Sequence, residues 1–226
     1  RDRANFETLL YQVRRVAGDQ TTAATNLTSS FSVGTGARIV NTQKFMSQGS
    51  ITTTDNSLDL AIEGGGFFQV LLPDGRVGYT RNGSFATNAE GVLTTASGYV
   101  VQPEIAIPDG ATQINISSDG IISVLVAGGV GAEEVGQLTI ADFTNKIGLQ
   151  PVGESFFVQT DTSGDPIEGN PNEQGLGRLV QGALEASNVN VVTELVEMIE
   201  TQRAYEVSSK SITSVDEMLR FISQNL

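Results

Sequence analysis

The last forty residues of the chain carry its clearest pattern of hydrophobic and polar positions. Large apolar side chains return every seven positions there, and neither Gly nor Pro interrupts the run. Such a repeat is typical of a long amphipathic α-helix with a heptad seam. The seam consists of Val191, Met198, Tyr205, Ile212 and Leu219, accompanied by Leu195, Ile199, Val215, Met218 and Ile222.

This predicted helix is unusual in its length and in its polar flank. Asn188 or Asn190 is a suitable N-cap. Roughly 38 residues at a rise of ~1.5 Å each give a rod of ~57 Å, longer than a compact domain of this size requires. Gln202, Ser209 and Asp216 occupy the flank where a two-stranded coiled coil has apolar residues. We therefore predict a helix packed among several others; the plainer alternative is that its stripe packs on its own domain.

From Ser57 to about Leu184 the pattern changes to short β-branched and aromatic runs. Leu58, Leu60 and Ile62 alternate with the smaller residues Asp59 and Ala61, and a triple glycine precedes the apolar run from Phe67 to Leu72. These features predict an all-β domain of short strands joined by tight turns. The turn dipeptides are Asp74-Gly75, Asn82-Gly83, Glu90-Gly91, Ser97-Gly98, Asp109-Gly110 and Asp119-Gly120.

The opening segment has apolar residues at helical spacing, namely Phe6, Leu9, Leu10, Val13 and Val16. We predict a short helix here, ended by Gly18. Residues 21–30 are almost entirely Thr, Ser, Ala and Asn, which favours an extended arm with little to bury. Between Ser32 and Gln48 the glycine-separated apolar residues predict one or two exposed strands.

These patterns predict a mainly β protein with a long C-terminal α-helix. The β-domain consists of short antiparallel strands and is flanked by an extended arm and terminal helical segments. We divide the chain into residues 1–56 (short helix plus extended arm), residues 57–184 (outer β-domain) and residues 185–226 (C-terminal helix). Both chain ends are expected on one side, with the β-domain on the other.

Composition and charge exclude several functions. The chain has 226 residues and 39% hydrophobic residues, as a globular protein does, but it has neither Cys nor His. Disulfides, thiolate nucleophiles, imidazole acid–base chemistry and the usual zinc ligands are therefore excluded. Between Asn82 and Gly177, twelve acidic residues stand against Lys146 alone, and the formal net charge is −13. An anionic surface of this kind argues against nucleic acid as a partner, although a solvated face is the plainer interpretation.

Two glycine-containing segments resemble ligand-binding loops only in part. Gly64-Gly65-Gly66 lacks the Gly-Lys-Ser/Thr of a phosphate-binding loop, so a bend before a buried strand is the better interpretation. Asp161 to Asp165 resembles the first half of a calcium loop. Pro166 stands at the sixth position, where Gly is required, and Asn172 stands at the twelfth in place of Glu. We predict no metal site and no cofactor.

Asp59 and Glu63 are the candidate carboxylate pair of a glycoside hydrolase, because alternating strand positions put them on one face. No second group of acids and no aromatic sugar platform accompanies them, and the chain has no Trp. Exposed carboxylates that serve solubility are therefore the simpler interpretation. We predict no catalytic residues.

Two long motifs resemble the bacterial flagellar rod and hook protein family. Residues 181–190 and 194–206, which read QGALEASNVN and ELVEMIETQRAYE, resemble the family's C-terminal signature. Residues 58–70 and 79–85, which read LDLAIEGGGFFQV and YTRNGSF, resemble its β-domain motif. The likeness runs through most of the chain and is strongest to the members that form the distal rod.

The resemblance implies a structural subunit of the distal rod, a helical tubular drive shaft that transmits motor torque to the hook. It implies a homo-oligomer in the form of a helical polymer, with proximal rod proteins, hook protein and the surrounding ring proteins as further partners, and no nucleic acid or small-molecule substrate. It places the protein in the flagellar basal body, from periplasm to outer membrane, after passage through the flagellar export channel. The family's N-terminal helix is missing from the sequence, so the C-terminal stripe is expected to lack that partner.

The predicted assembly interface joins the two terminal regions. It consists of Val191, Leu195, Met198, Tyr205, Ile212 and Leu219 in the C-terminal helix, and of Phe6, Leu9, Leu10 and Val13 in the opening segment. Within the same family, a proximal rod protein or a short hook protein is the alternative. Outside it, the alternatives are a carboxylate-based glycoside hydrolase and an adhesive β-domain.

Overall fold

The computed structural model describes residues 2–15, 20–22, 25–26, 31–127 and 131–224. They form short antiparallel strands and one long α-helix, which confirms the predicted fold class. By its internal contacts the chain divides into two compact units, Arg1–Ala186 and Ser187–Leu226. The boundaries predicted at residues 56 and 184 remain a proposal.

The first unit begins with a two-stranded antiparallel ladder. Its strands are β1 (Asp2–Thr8), β2 (Tyr11–Arg15), β3 (Gln20–Thr22), β4 (Thr25–Asn26), β5 (Phe31–Gly34) and β6 (Ala37–Lys44). β1 pairs with β6, β2 with β5 and β3 with β4, so the two sides of the ladder run antiparallel along its length. The exposed strand predicted between Ser32 and Gln48 is confirmed by β6.

The prediction of a short helix at the start of the chain is wrong. Phe6 lies in β1 and Val13 lies in β2, and Leu9 and Leu10 connect the two strands. The segment is extended because β1 pairs with β6, whose residues lie 29 to 42 positions further along the chain. Lys44 forms an ion pair with Asp2 at 3.1 Å, and Arg38 forms one with Glu7 at 3.4 Å. The Asn5 side chain donates to that of Asn41 at 2.8 Å. Cross-strand pairs of this kind stabilise a ladder. The predictions at Val16 and Gly18 lie outside the described residues.

The remainder of the first unit is the β-domain, together with the strand pair that leads into it. Its strands are β7 (Ile51–Thr53), β8 (Leu60–Glu63), β9 (Phe67–Leu71), β10 (Val77–Thr80), β11 (Phe85–Thr87), β12 (Leu93–Thr95), β13 (Val101–Gln102), β14 (Ala111–Ile116), β15 (Ile121–Val126), β16 (Ala132–Gln137), β17 (Ile140–Asp142), β18 (Gln150–Gly153), β19 (Phe156–Val158), β20 (Ile167–Gly169), β21 (Arg178–Gln181) and β22 (Ala183–Glu185). A short 3-10 helix spans Lys146–Gly148.

The largest sheet has the order β18-β19-β10-β9-β17-β20, and β13 also pairs with β9. A second sheet has the order β14-β15-β16, and two-stranded pairs join β11 to β12, β8 to β21 and β7 to β22. β9 lies at the centre of the largest sheet and is buried from Phe67 to Val70. Its alternating side chains reach two hydrophobic clusters, a small aromatic one around Phe67 and a large one around Phe68. β9 therefore organises the core of the domain.

Five of the six predicted turn dipeptides carry a glycine in the left-handed region. Gly75, Gly91, Gly98, Gly110 and Gly120 have φ between 78° and 86°, where a Cβ is unfavourable.

The sixth dipeptide, Asn82-Gly83, is not a hairpin turn. The backbone N–H of Leu60 donates to the carbonyl of Gly83 at 3.0 Å, and a Cβ on Gly83 would overlap the carbonyl oxygen of Leu60. Glycine is needed here for the close approach of two backbones.

The second unit contains the helix α1 (Val191–Gln224). The Asn190 side-chain oxygen accepts hydrogen bonds from the N–H groups of Val192 at 3.0 Å and Thr193 at 3.4 Å. Asn190 is therefore the N-cap, one of the two residues predicted for that position. None of the described residues of α1 is buried.

Candidate assembly interface

The helix α1 exposes apolar side chains along its whole length. Of the predicted seam residues, Leu195 is 50% exposed and Tyr205 is 76% exposed, and the others lie between these values. Those others are Val191, Met198, Ile212 and Leu219. An apolar surface of this extent is uncommon on a monomer and marks an interaction site. Within the described residues, no helix combines the length and the apolar character needed to cross a membrane.

Eleven of the fourteen exposed apolar residues of α1 form two faces, one on each half of the helix, whereas Tyr205, Val207 and Phe221 lie outside both. The first face comprises Val191, Val192, Leu195, Val196, Met198 and Ile199, and the second comprises Ile212, Val215, Met218, Leu219 and Ile222. At about 100° per residue, the centres of the two faces lie about 180° apart around the axis. Glu194, Glu197 and Glu200 lie on the side opposite the first face. The two halves of α1 therefore present apolar surface in opposite directions.

The ladder at the start of the chain also carries exposed apolar residues. Phe6 is 70% exposed and Leu10 is 89% exposed, whereas Leu9 is 38% exposed. Phe6 pairs in register with Ile39, which is itself mostly exposed. The predicted site residue Val13 lies on β2 opposite Ser32, and its side chain is outside the described part of the chain. A two-stranded ribbon exposed in this way is only marginally stable by itself, so it requires a covering surface.

The candidate carboxylates of a hydrolase are engaged in structural contacts. Asp59 is buried and accepts hydrogen bonds from Thr54 Oγ1 at 2.8 Å and Asn56 Nδ2 at 2.9 Å. Glu63 is exposed and forms an ion pair with Arg178 at 2.7 Å. The expectation of an exposed, solubilising carboxylate therefore holds for Glu63 and is wrong for Asp59, which closes the loop before β8.

The loop that resembles a calcium site is closed by its own side chains. The hydroxyl of the buried Ser163 donates to the carbonyl of Thr160 at 2.8 Å and accepts from the Thr160 N–H at 3.0 Å. Asp165 accepts a hydrogen bond from Gln159 at 2.9 Å. Among the described residues, no three acidic side chains are grouped so that they could hold a metal ion.

Arg81 is a functional candidate that the sequence patterns did not single out. Its Nε donates to Glu185 Oε2 at 2.8 Å. Its two terminal nitrogens donate to the carbonyl oxygens of Ile62, Gly64 and Gly66 at 3.0–3.2 Å. All five donors of the guanidinium are therefore used. The triple glycine forms the predicted bend before β9, and the carbonyl groups of Gly64 and Gly66 bind Arg81.

Glu185 connects this arrangement to the two segments that enter and leave the β-domain. Its second oxygen, Oε1, accepts a hydrogen bond from the Gly49 N–H at 2.9 Å. The Ala186 N–H donates to the Ser50 carbonyl at 2.8 Å, directly beside it. The Gln48 side chain donates to the Ile62 carbonyl at 3.1 Å. We call this group, namely Gln48, Gly49, Arg81 and Glu185 with the carbonyl groups of Ile62, Gly64 and Gly66, the joint.

The joint is mostly shielded from water. The Arg81 side chain is 18% exposed and that of Glu185 is 10% exposed. The guanidinium carbon also lies 6.0 Å from the centroid of the Phe67 ring, which favours a cation there. Removing one partner of such a pair leaves the other charge and several carbonyl groups unpaired, which is costly.

Two family models match the chain. The model described as "Flagellar hook protein FlgE/F/G D1 domain" matches residues 61–124, and "Flagellar basal body rod FlgEFG protein C-terminal" matches residues 180–225. Arg81 lies in the first matched region and Glu185 in the second. The joint is therefore the place where the two matched regions are held together by an ion pair.

Several proteins are similar to the chain over nearly its whole length. It is 50% identical to flagellar basal-body rod protein FlgG of Buchnera aphidicola subsp. Acyrthosiphon pisum over 224 residues, which cover 99% of this chain and 86% of that protein. It is 43% identical to FlgG of Caulobacter vibrioides over 225 residues, 99% of this chain and 86% of that protein. Against flagellar basal-body rod protein FlgF of the same organism, the identity is 34% over 184 residues, 79% of this chain and 69% of that protein.

Proposed function

Because this chain belongs to the flagellar basal-body rod protein FlgG family, we propose that it is a structural subunit of the distal part of the flagellar rod. Copies assemble into a helical tubular shaft that carries motor torque to the hook. The greater similarity to FlgG than to FlgF of one organism supports this assignment over another rod position. The function is mechanical, and we expect no catalytic activity.

The observation that carries the proposal is the exposure of α1. None of its described residues is buried, although fourteen of its large hydrophobic side chains are at least 49% exposed. Contacts that repeat without closing generate a helical tube in which each subunit covers its neighbour's apolar surface. The predicted seam from Val191 to Leu219 and the exposed residues Phe6, Leu9 and Leu10 are then the contact residues, and Val13 joins them as a prediction.

The two opposed faces of α1 support a helix surrounded on more than one side. A two-stranded zipper needs one continuous seam, whereas faces about 180° apart are covered by different neighbours. Residues 185–226 then belong to the inner tube, residues 57–184 face outward, and residues 1–56 link the two regions. The remaining partners are the proximal rod proteins, the hook protein and the ring proteins. Subunits pass the flagellar export channel and function between periplasm and outer membrane.

Electron microscopy of polymers grown from the full-length protein tests the proposal. Straight filaments are expected for a rod, and curved filaments would instead identify a hook protein. Met198→Asp and Leu219→Asp place a charge on the first and the second apolar face, and each is expected to abolish assembly. Thr193→Asp introduces the same charge on the side opposite the first face, and this variant is expected to assemble. If both Met198→Asp and Leu219→Asp formed normal rods, the assignment of these faces to the assembly interface would be contradicted.

A further inference from the structure

We infer that the joint is the point through which torque passes between the β-domain and the chain segments that lead to the terminal regions. The inference rests on the proposed function, since only a subunit of a rotating shaft has torque to transmit. It assigns to Arg81 and Glu185 the role of positioning residues, which fix the entry and exit segments to the domain.

The first step of the argument is where the joint lies along the chain. The entry segment reaches the domain at Gly49 and Ser50, and the exit segment leaves it at Glu185 and Ala186. The boundary between the two compact units follows directly, at residues 186 and 187. The joint therefore lies where the exit segment leaves the first unit.

The second step is how the joint is connected. β7 and β22 pair in register from Ile51 with Glu185 to Thr53 with Ala183, so the entry and exit segments form one ribbon. A two-stranded ribbon twists and bends easily by itself. Glu185 fixes it at one end, because one carboxylate oxygen binds the Gly49 N–H and the other binds Arg81.

The third step is how Arg81 transmits load into the core. Its guanidinium binds the carbonyl of Ile62 in β8 and those of Gly64 and Gly66 in the loop before β9. β9 is the buried centre of the largest sheet, and Phe67 at its start lies under the guanidinium. The planar fork of Arg fixes direction as well as distance, which a Lys ammonium does not. A force on the exit segment therefore reaches the buried central strand of the largest sheet through a few short contacts.

Glu185→Gln and Arg81→Lys test the joint, and Glu63→Gln is the matched control. Glu63 also forms an ion pair with an arginine, Arg178, but the two side chains are 45% and 58% exposed. Exposed pairs of this kind contribute little.

Hydrogen exchange of the purified chain is the first measurement. In Glu185→Gln and Arg81→Lys, the amide of Gly49, which donates to the Glu185 carboxylate, should exchange about tenfold faster or more, the loss expected for a hydrogen bond to a charged group. The neighbouring amide of Ala186, which donates to the Ser50 carbonyl, should exchange faster as well. The amides of β9 and β10 should keep the protection of the native protein, and Glu63→Gln should leave both regions unchanged. Unchanged exchange at Gly49 and Ala186 in both joint variants would overturn the inference.

Motor rotation is the second measurement and separates transmission of torque from simple stability. Cells with either joint variant should form rods in normal number, turn normally at low load and lose speed in viscous medium. Two results would refute a role of the joint in transmitting torque. One is a rotation speed under high load equal to that of native cells, and the other is a fall in rod number with no loss of speed per rod. Cells with the native protein test the proposed function separately. If they formed no rods, the proposed function would fail, whatever the joint variants do.

Discussion

Phe67 and Phe68 are consecutive residues of β9 whose rings lie in two different hydrophobic clusters. Phe67 packs edge to face with Phe143 and Phe157, at centroid distances of 6.2 and 6.3 Å. Phe68 packs against Phe85 at 5.0 Å, in the larger cluster. Because successive side chains of a strand point to opposite faces, one short strand joins both clusters.

Truncating a side chain in the larger cluster is expected to lower the free energy of unfolding more than truncating one in the smaller cluster. Phe68 is fully buried, so Phe68→Ala should lower the free energy of unfolding by about 3–5 kcal/mol. Phe157 is only partly buried, and Phe157→Ala should cost less. Denaturant unfolding followed by circular dichroism measures both changes. Equal losses from the two variants would contradict the central place of Phe68.

Gly83 is expected to tolerate no side chain. Gly83→Ala places a methyl group against the carbonyl oxygen of Leu60, whose N–H is hydrogen-bonded to the Gly83 carbonyl, so a loss of more than about 4 kcal/mol is expected. Gly98→Ala is the control, because its Cβ would meet open space and only its φ of 86° is unfavourable. That variant should lose about 1 kcal/mol. Thermal unfolding of both proteins measures the difference.

Tyr79 should make the β-domain sensitive to alkaline pH. Burial, together with the negative charge of Glu168, raises the pKa of Tyr79 above the ordinary value of about 10. As pH rises past about 10, the unfolded chain releases this proton before the folded chain does, so the free energy of unfolding falls. Below that pH the contribution is fully present.

Tyr79→Phe removes the ionisable group and keeps the ring that packs on Phe143 at 4.7 Å. Its stability should therefore decline less steeply with pH above about 10 than that of the native protein. Denaturant unfolding at a series of pH values measures the two slopes. Parallel slopes would mean that the folded state does not hold the Tyr79 proton.

The acidic surface of the β-domain is expected to affect rotation more than assembly. Glu90, Glu104 and Glu133 are exposed, and their reversal to Lys changes the formal net charge from −13 to −7. Asp119 is left unchanged because it accepts a hydrogen bond from Asn172. Cationic patches should adhere to surrounding surfaces that the native charge avoids. In the triple Lys variant, rod number should remain normal and swimming speed should fall. The control, with Gln at the same three positions, should show a smaller fall. Unaltered swimming speed in the triple Lys variant would refute a role of the acidic surface in rotation.

The sequence predicts those parts of the fold that are determined by neighbours along the chain. The β-domain and the start of α1 at Asn190 follow from turn glycines, alternation and a capping side chain, all of which act within a few residues. The opening segment is the counterexample. Phe6, Leu9 and Leu10 match helical spacing, but the segment is short, and pairing with β6 outweighs local periodicity.

The joint shows why the candidate site could be predicted only in part. Exposed apolar residues of α1 can be recognised from their spacing alone. Arg81 and Glu185 are 104 residues apart, and nothing in their local sequence indicates that they meet. Both lie within the long motifs that carry the resemblance to the flagellar family. The dipeptide Asn82-Gly83 likewise has the sequence of a turn, and only the folded chain brings Leu60 against Gly83.

The pairing of β7 with β22 brings the start and the end of a 135-residue segment side by side. A polypeptide inserted between two hydrogen-bonded neighbours can be lengthened, shortened or exchanged without moving the rest of the chain, because its ends already meet. The segment from Ile51 to Glu185 is thus a replaceable cassette. Proteins with larger or smaller outer portions could share one way of building a shaft, and a foreign domain whose ends lie equally close could be grafted at this position.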